Sequence, residues 1–273
     1  MTLRWVNGQP ADGLSVRDRG LAFGDGLFET IKVINGRPEL LDRHLHRIEQ
    51  GCRRLAIPCS IEALRQQLLA FSAQLAEGVA KLIVTRGEGV RGYAQPDPIA
   101  PSAIILGSHL PDYPQAHADK GVRLYPCTTR LAEQPLLAGL KHLNRLEQVL
   151  ARAEWQDPAF AEGLMRDTSG RVVEGVFSNL FIVEAGKLVT PSLDRCGVAG
   201  VMRAELLHRA DMSGVATLIA DIPLERLVQA DEVLVCNSLY GVWPVRQFEA
   251  TVWSVGPLTR KLQRLIADLS STT

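Results

Sequence analysis

The sequence predicts an α+β protein organised as two domains. Three observations lead there. The chain has 273 residues, and at roughly 100–200 residues per domain that length supports two hydrophobic cores. Its first part reads as strands followed by helices, and its later part as a second, strand-rich region. Between them Pro111 to Lys120 is rich in Pro, Asp, Gln and His and poor in apolar residues, the composition of a linker. The expected division is an N-terminal domain over 1–110, a linker over 111–120 and a C-terminal domain over 121–273.

The elements follow in order. Phe28-Glu-Thr-Ile-Lys-Val-Ile34 alternates as a strand, and Asn35-Gly36 supplies a tight turn into Pro38 to Leu41. Asp42 is placed to cap a helix whose apolar positions are Leu45, Ile48, Cys52 and Leu55. A second helix is expected over Ile61 to Leu75, then strands at Leu82–Thr85 and Ala103–Gly107 around a Gly- and Pro-rich loop. Past the linker, Val122 to Tyr125 starts a strand, and Leu143, Leu146, Leu150 and Ala153 mark a helix. Hairpins run from Gly163 to Thr190 with turns at Ser169-Gly170 and Ala185-Gly186. A helix near Val201 to Arg209, a strand at Glu232 to Cys236 and a helix from Pro257 to Leu269 complete the chain.

Charge and composition exclude several functions. Thirty basic residues balance 30 acidic ones, so the basic excess of a nucleic-acid binder is absent. No apolar run approaches the ~20 residues of a membrane span. The opening residues, Met1 to Gly8, carry no basic segment leading into an apolar one, which points to a cytoplasmic protein. Five cysteines without a C-x-x-C pair point to free thiols in a reducing compartment. His44 and His46 stand two apart on the Asp42 helix and face different directions, so they read as solvated, and no metal site is expected.

Only six of the basic residues are lysines, which limits any amine chemistry to six candidates. Lys141 lies in the apolar run Leu136-Leu-Ala-Gly-Leu-Lys-His-Leu. Such surroundings disfavour the charged form and free the amine as a nucleophile; a lysine laying its stem along apolar surface at a helix start fits as well. Glu174, in Arg171-Val-Val-Glu-Gly-Val-Phe177, is either a buried carboxylate that needs a cationic or donor partner or a strand-end side chain in water. Gly197-Val-Ala-Gly-Val-Met202 leads into a helix, and helix N-terminal amides bind phosphate. Arg47 and Ser238 are further candidate phosphate contacts. A nucleophilic amine, a buried carboxylate and a phosphate cup together match the needs of pyridoxal 5′-phosphate.

The sequence also resembles the fold type IV pyridoxal-phosphate enzymes, which include D-amino-acid and branched-chain aminotransferases and aminodeoxychorismate lyases. The resemblance runs in the family's order through Asp18-Arg-Gly-Leu-Ala-Phe-Gly-Asp-Gly-Leu-Phe-Glu29, His44-Leu-His-Arg47 and Lys141-His-Leu-Asn144. It continues through Glu174-Gly-Val-Phe-Ser-Asn179, Gly200-Val-Met-Arg203 and Cys236-Asn-Ser238. It implies a smaller N-terminal α/β sandwich and a larger C-terminal domain carrying the cofactor lysine. Lys141 would be the Schiff-base lysine and Glu174 the partner of the pyridine nitrogen. Arg47, the amides of Val201 and Met202, and Ser238 would bind the phosphate.

Lys141-His-Leu-Asn-Arg-Leu-Glu147, Cys236-Asn-Ser-Leu239 and Arg86-Gly-Glu-Gly-Val-Arg-Gly-Tyr-Ala-Gln-Pro96 are similar to the lyase branch. D-Amino-acid aminotransferases usually carry Tyr where Phe28 stands and Arg-x-His where Arg91-Gly-Tyr93 stands. The implied reaction converts 4-amino-4-deoxychorismate to 4-aminobenzoate and pyruvate on the way to folate; an aminotransferase on the same fold is the alternative. On that likeness Arg91, Tyr93 and Asn237 are expected to contact the dicarboxylate substrate, and the protein is expected to be a homodimer.

Overall fold

The structure, a computed structural model, describes residues 3–270. Two compact units divide the chain: residues up to Pro111 with Leu140–Asn144, and Asp112–Gly139 with Arg145 onward.

The first unit begins with β1 (Arg4–Val6), β2 (Gln9–Pro10) and a short helix, α1 (Arg19–Phe23). Strand β3 (Gly26–Ile34) turns through Asn35 and Gly36, both at positive φ, into β4 (Arg37–Pro38), as a two-residue hairpin requires. Helices α2 (Leu41–Arg54) and α3 (Ile61–Leu75) precede β5 (Gly78–Thr85) and β6 (Ser102–Ser108). The six strands form one antiparallel sheet in the order β2-β1-β6-β5-β3-β4. Along β3, alternation buries Leu27, Glu29, Ile31 and Val33 on one face. Three of these are core residues and one is a carboxylate.

Helix α2 departs from expectation at its start. Asp42 is not its cap: the helix begins one residue earlier, behind Leu40 in a left-handed conformation with no side-chain capping bond. Asp42 instead reaches Arg65 of α3 at 2.7 Å. Ser60 caps α3 by accepting from the amide of Ala63.

The second unit starts where a linker was expected. Residues 115–120 form a short helix, α4 (Gln115–Lys120). Tyr113 packs edge-on against Trp243 at 5.0 Å and His117 against the same ring at 4.7 Å, while Arg260 donates to the Ala118 carbonyl. Aromatic edges and carbonyls therefore make this polar-looking stretch part of the unit's wall.

The strands β7 (Val122–Leu131), β8 (Phe160–Asp167) and β9 (Val172–Gly175) follow, with α5 (Leu146–Ala153) between the first two. Next come β10 (Asn179–Glu184), β11 (Lys187–Pro191), α6 (Val201–Met212), β12 (Thr217–Ala220) and α7 (Leu224–Val228). The unit ends with β13 (Glu232–Asn237), β14 (Gly241–Phe248), β15 (Thr251–Val252), α8 (Pro257–Ile266) and a 3-10 turn at Ala267–Ser270.

These strands run β12-β11-β10-β13-β14-β7-β8-β9, and β9 pairs back onto β10 through Glu174 and Asn179. The sheet thus closes from β10 round to β9 as a barrel, with β11 and β12 continuing the sheet outside it. Val122, Leu164, Leu180, Ile182, Val233, Val235 and Trp243 lie in its main core. No helix among the described residues is long and apolar enough to cross a membrane.

A second difference concerns the Lys141 segment. It was expected in the C-terminal domain, but Leu140–Asn144 groups with the first unit. The Phe28 amide donates to the Lys141 carbonyl at 2.9 Å and the Leu143 amide to the Gly26 carbonyl at 3.0 Å. Lys141 and Leu143 thus form ladder-like bonds at the start of β3, because its backbone there has polar groups to satisfy.

Candidate active site

In the first unit the candidate residues sit around the start of β3. Glu29 is fully buried, a position set by the period-two face it shares with Leu27 and Ile31. Helix α2 presents His44 and Arg47 to it from adjacent positions on one face. His44 Nδ1–H donates to Glu29 Oε2 at 2.5 Å, and Arg47 Nε donates to Oε1 at 2.7 Å, with Arg47 Nη2 on Oε2. Burial pushes the Glu29 carboxyl up, but Arg47 and His44 together outweigh it and bring it down to about 2. The same burial lowers His44 against the pull of Glu29. Among the described residues the buried His44 Nε2 has no hydrogen-bond partner.

This corrects the expectation for His44. It is buried on a carboxylate, while His46 stays exposed beside Gln50 at 2.8 Å. No metal-holding cluster of His, Cys, Asp and Glu occurs among the described residues. Arg47, expected at a phosphate, has its guanidinium oriented by Glu29.

Lys141 Nζ lies 4.3 Å from the centre of the Phe28 ring. Its charge also reaches His44, whose protonated form it disfavours. Asn144, three residues on, donates through Nδ2 to the Gly24 carbonyl at 3.1 Å. The amine is therefore held on a segment tied to backbone at both Phe28 and Gly24.

In the second unit Glu174 lies buried at the end of β9. Its Oε2 accepts the Val198 amide at 2.8 Å, and Asn179 Nδ2 donates to the Val198 carbonyl at 2.8 Å. The two residues are cross-strand neighbours, so together they grip both polar groups of one residue in the loop that enters α6. Gly139 joins the same loop, donating to the Gly197 carbonyl and accepting from the Ala199 amide. At Gly200 a Cβ would collide with Asn179 Oδ1, so only glycine permits this approach.

Helix α6 starts behind Gly200 with no side-chain cap. The amides of its first turn, Val201 and Met202 among them, have no intrahelical acceptor and form a natural anion cradle. Arg203 is used inside the fold, donating to Thr190 Oγ1 and to the Pro191 carbonyl, each at 3.0 Å. Arg145 is close enough to Glu174 for the carboxylate to support its charge; burial lowers the Arg145 guanidinium and Glu174 opposes that.

Asn237 serves its own turn. Its Oδ1 accepts the amides of Leu239 at 2.9 Å and Tyr240 at 3.0 Å, and its Nδ2 donates to the Phe177 carbonyl at 3.3 Å. Ser238 sits within that turn.

Several residues escaped the sequence reading. Glu29 was visible in principle, since it shares a strand face with three core residues. Glu162 gave no comparable signal, because both faces of β8 are buried around it. It is fully buried and accepts from the Gly163 amide at 2.9 Å, the Val176 amide at 3.0 Å and Ser178 Oγ at 2.7 Å. Burial pushes its carboxyl up to about 7 in spite of those donors. Arg91 and Tyr93 lie on an exposed loop.

The sequence pattern of the amino-transferase class IV family matches residues 26–248. The chain belongs to that family. It is 41% identical over 266 residues to an aminodeoxychorismate lyase of Vibrio harveyi, covering 95% of this chain and 97% of the relative. Its structure is similar to that of the 4-amino-4-deoxychorismate lyase from Pseudomonas aeruginosa, with TM-score 0.96 and 65% identity over 97% of this chain and 98% of that one. The fold is shared further with a branched-chain aminotransferase from the archaeon Thermoproteus uzoniensis, with TM-score 0.86 and 22% identity over 98% of this chain and 95% of that one. The α+β fold expected from the class IV motifs is the fold of these proteins.

Proposed function

We propose that the protein binds pyridoxal 5′-phosphate and converts 4-amino-4-deoxychorismate to 4-aminobenzoate and pyruvate, a step towards folate. The observation that carries this reading is the likeness, over nearly the whole chain, to two aminodeoxychorismate lyases.

The residues fit the cofactor chemically. The uncapped start of α6 suits a phosphate, and the Lys141 amine suits an aldehyde. Glu174 suits a protonated pyridine nitrogen. Arg47, the Val201 and Met202 amides and Ser238 hold the phosphate in this reading. When bound, the cofactor supplies an electron sink.

Lys141 Nζ would hold the cofactor's aldehyde carbon. Its amine would also be the group that accepts the proton from the substrate ring carbon bearing the amine. The enolpyruvyl oxygen then leaves the neighbouring ring carbon with its electron pair, takes up a proton and departs as pyruvate. Loss of these two groups makes the ring aromatic, with no external oxidant or reductant. Glu174 would be the carboxylate that favours a protonated pyridine nitrogen. Arg91 and Tyr93 meet the substrate carboxylates, and Asn237 contributes by shaping the turn around Ser238.

Lys141→Ala is expected to abolish the absorbance of lysine-bound cofactor and to lower turnover by on the order of a thousandfold or more. A variant that kept that absorbance would remove Lys141 from the mechanism. Glu174→Gln is expected to leave the fold intact and cut turnover by roughly a hundredfold or more; near-normal turnover would refute the electron-sink role. Assay of 4-aminobenzoate formation beside a panel of amino donors tests the reaction itself. Fast transamination with slow elimination would assign the chain to the aminotransferases instead.

The protein acts as a homodimer in the cytoplasm in this reading. Leu146, Val149 and Leu150 expose one apolar face of α5, and Leu136 is exposed as well, a patch that a second copy would cover. Light scattering showing a monomer at working concentration would refute that part.

A further inference from the structure

Arg19 opens α1, yet only 4% of its surface is exposed. A guanidinium in such a place is costly unless its donors are satisfied. Nε donates to Asp25 Oδ2 at 2.9 Å. Nη1 donates to the carbonyls of Gly92 and Ala94, each at 3.1 Å, and Nη2 to the carbonyl of Tyr93 at 3.2 Å. One side chain thus collects three consecutive carbonyls of the loop that carries Arg91 and Tyr93.

The surroundings support the same task. The Arg19 guanidinium lies 4.9 Å from the Phe23 ring, which packs against the Tyr93 ring at 5.3 Å. The loop's base approaches so closely that a Cβ at Gly89 would lie 2.9 Å from Arg19 Cδ. Asp25 is itself fixed from the far side by Arg86, at 2.8 and 3.0 Å, and Arg86 also donates to the carbonyls of Leu55 and Ala56. Asp18 steadies the start of α1, accepting from Thr85 Oγ1 and the Gly20 amide, each at 2.8 Å.

The loop does little to hold itself. Val90 and Tyr93 are each 85% exposed, and Arg91 and Gly92 are exposed too. Its backbone is anchored while its side chains project into solvent, which suits a recognition loop: fixed carbonyls and available functional groups. A lysine could not replace the anchor, because its point-like ammonium cannot span three carbonyls and a carboxylate as the planar fork does.

We propose that Arg19 is a positioning residue that fixes the Arg91–Tyr93 loop for recognition of the substrate carboxylates. The inference rests on the reading, given above, that Arg91 and Tyr93 meet those carboxylates. Arg19 acts through the loop and touches no reacting atom.

The test uses purified holoenzyme carrying Arg19→Met, which keeps the apolar stem and removes the fork, with Arg91→Ala and Tyr93→Ala alongside. Arg91 is itself a trypsin site, so limited proteolysis followed by mass spectrometry reads the loop directly. Cleavage after Arg91 is expected to accelerate about tenfold in Arg19→Met, since three hydrogen bonds hold the loop closed. KM for 4-amino-4-deoxychorismate is expected to rise about tenfold while kcat changes less than about threefold and the bound-cofactor absorbance is retained. Unaccelerated cleavage overturns the inference. So does an unchanged KM in Arg19→Met when Arg91→Ala or Tyr93→Ala raises it, and then the substrate role of the loop survives alone. If none of the three variants moves KM, the loop reading falls and takes the inference with it. Should Arg19→Met not fold, Arg19→Lys keeps a charge beside Asp25 without reaching the three carbonyls, and the same outcomes decide.

Discussion

In the first unit, Glu29 meets the guanidinium of Arg47 and the imidazole of His44, and Asp25 is shared between Arg19 and Arg86. In the second, Glu162 meets the backbone amides of Gly163, Val176 and Phe177 and a serine hydroxyl, and Glu232 meets the Leu258 and Thr259 amides with the Thr259 hydroxyl. Glu29 and Asp25 are neutralised by cations; Glu162 and Glu232 are surrounded by neutral dipoles. The consequence appears in their acidity. Glu29 is brought down to about 2, whereas Glu162 is raised to about 7. Neutral donors soften the desolvation of a charge but do not cancel it; a fork of positive charge does.

Glu29 and Glu162 differ in their surroundings as well. An open sheet with helices packed beside it can direct arginines from a helix at a strand, as α2 does at β3. A closed barrel has turning backbone at its ends, and there amides point at whatever anion fills the turn.

The largest effect that would break this comparison concerns Glu29. Glu29→Gln leaves Arg47 without its buried counter-ion and is expected to cost on the order of 3 kcal/mol near pH 7. The sign follows from a folded acidity below the unfolded value. The stabilisation is present above about pH 4.5 and is lost as pH falls towards about 2, so wild type and variant should converge in acid. Urea unfolding at a series of pH values measures this, and equal stability at pH 7 would refute the ion-pair account.

Glu162 should behave with the opposite sign. Its folded acidity lies above the unfolded one, so the folded protein binds the extra proton. That contribution is present below about pH 4.5 and lost as pH rises through about 7. Wild-type stability is expected to decline by on the order of 2 kcal/mol across that window from this group. Glu162→Gln should flatten the decline, and an unchanged slope would show that the amide nest holds the charged form after all.

The smallest effect isolates burial from charge. Asp42 and Arg65 form an ion pair in the first unit as well, but the Asp42 side chain is 84% exposed. Asp42→Ala is expected to shift stability by less than about 0.5 kcal/mol, below the ~1 kcal/mol of a lost helix cap. A larger loss would restore Asp42 to the capping role that the start of α2 denies it.

Much of the fold was legible because local patterns carried it. The Asn35-Gly36 turn, the β3 alternation and the α3 span needed only neighbouring residues to be read. The start of α2 was not, because a residue in a left-handed conformation at Leu40 took the place of a side-chain cap. The α4 region looked like a linker because its composition is polar, yet the packing of Tyr113 and His117 on Trp243 is a long-range choice. Among site residues, Lys141 and Glu174 stood out through apolar neighbours in sequence. Arg19, Glu162 and Asn179 did not: the loop carbonyls on Arg19 lie 73 to 75 residues away, Val176 and Ser178 lie 14 and 16 from Glu162, and Val198 lies 19 from Asn179.

The sequence by itself determined the α+β class, the ordered class IV motifs, and the lysine and carboxylate on which a chemical reading depends. The class follows from periodicity, the lysine and carboxylate from their apolar neighbours, and the motifs from a resemblance read along the chain, none of which needs folding. Only the tertiary structure decided that strands β10 to β9 close into a barrel, and that residues 140–144 join the first unit. It also decided that His44 leaves the solvent for Glu29 and that Arg19 gathers a loop. Each of these is a pairing between distant groups. Burial forces every charge and every backbone amide to find a partner, and the partner is fixed by where the chain returns rather than by the residues beside it.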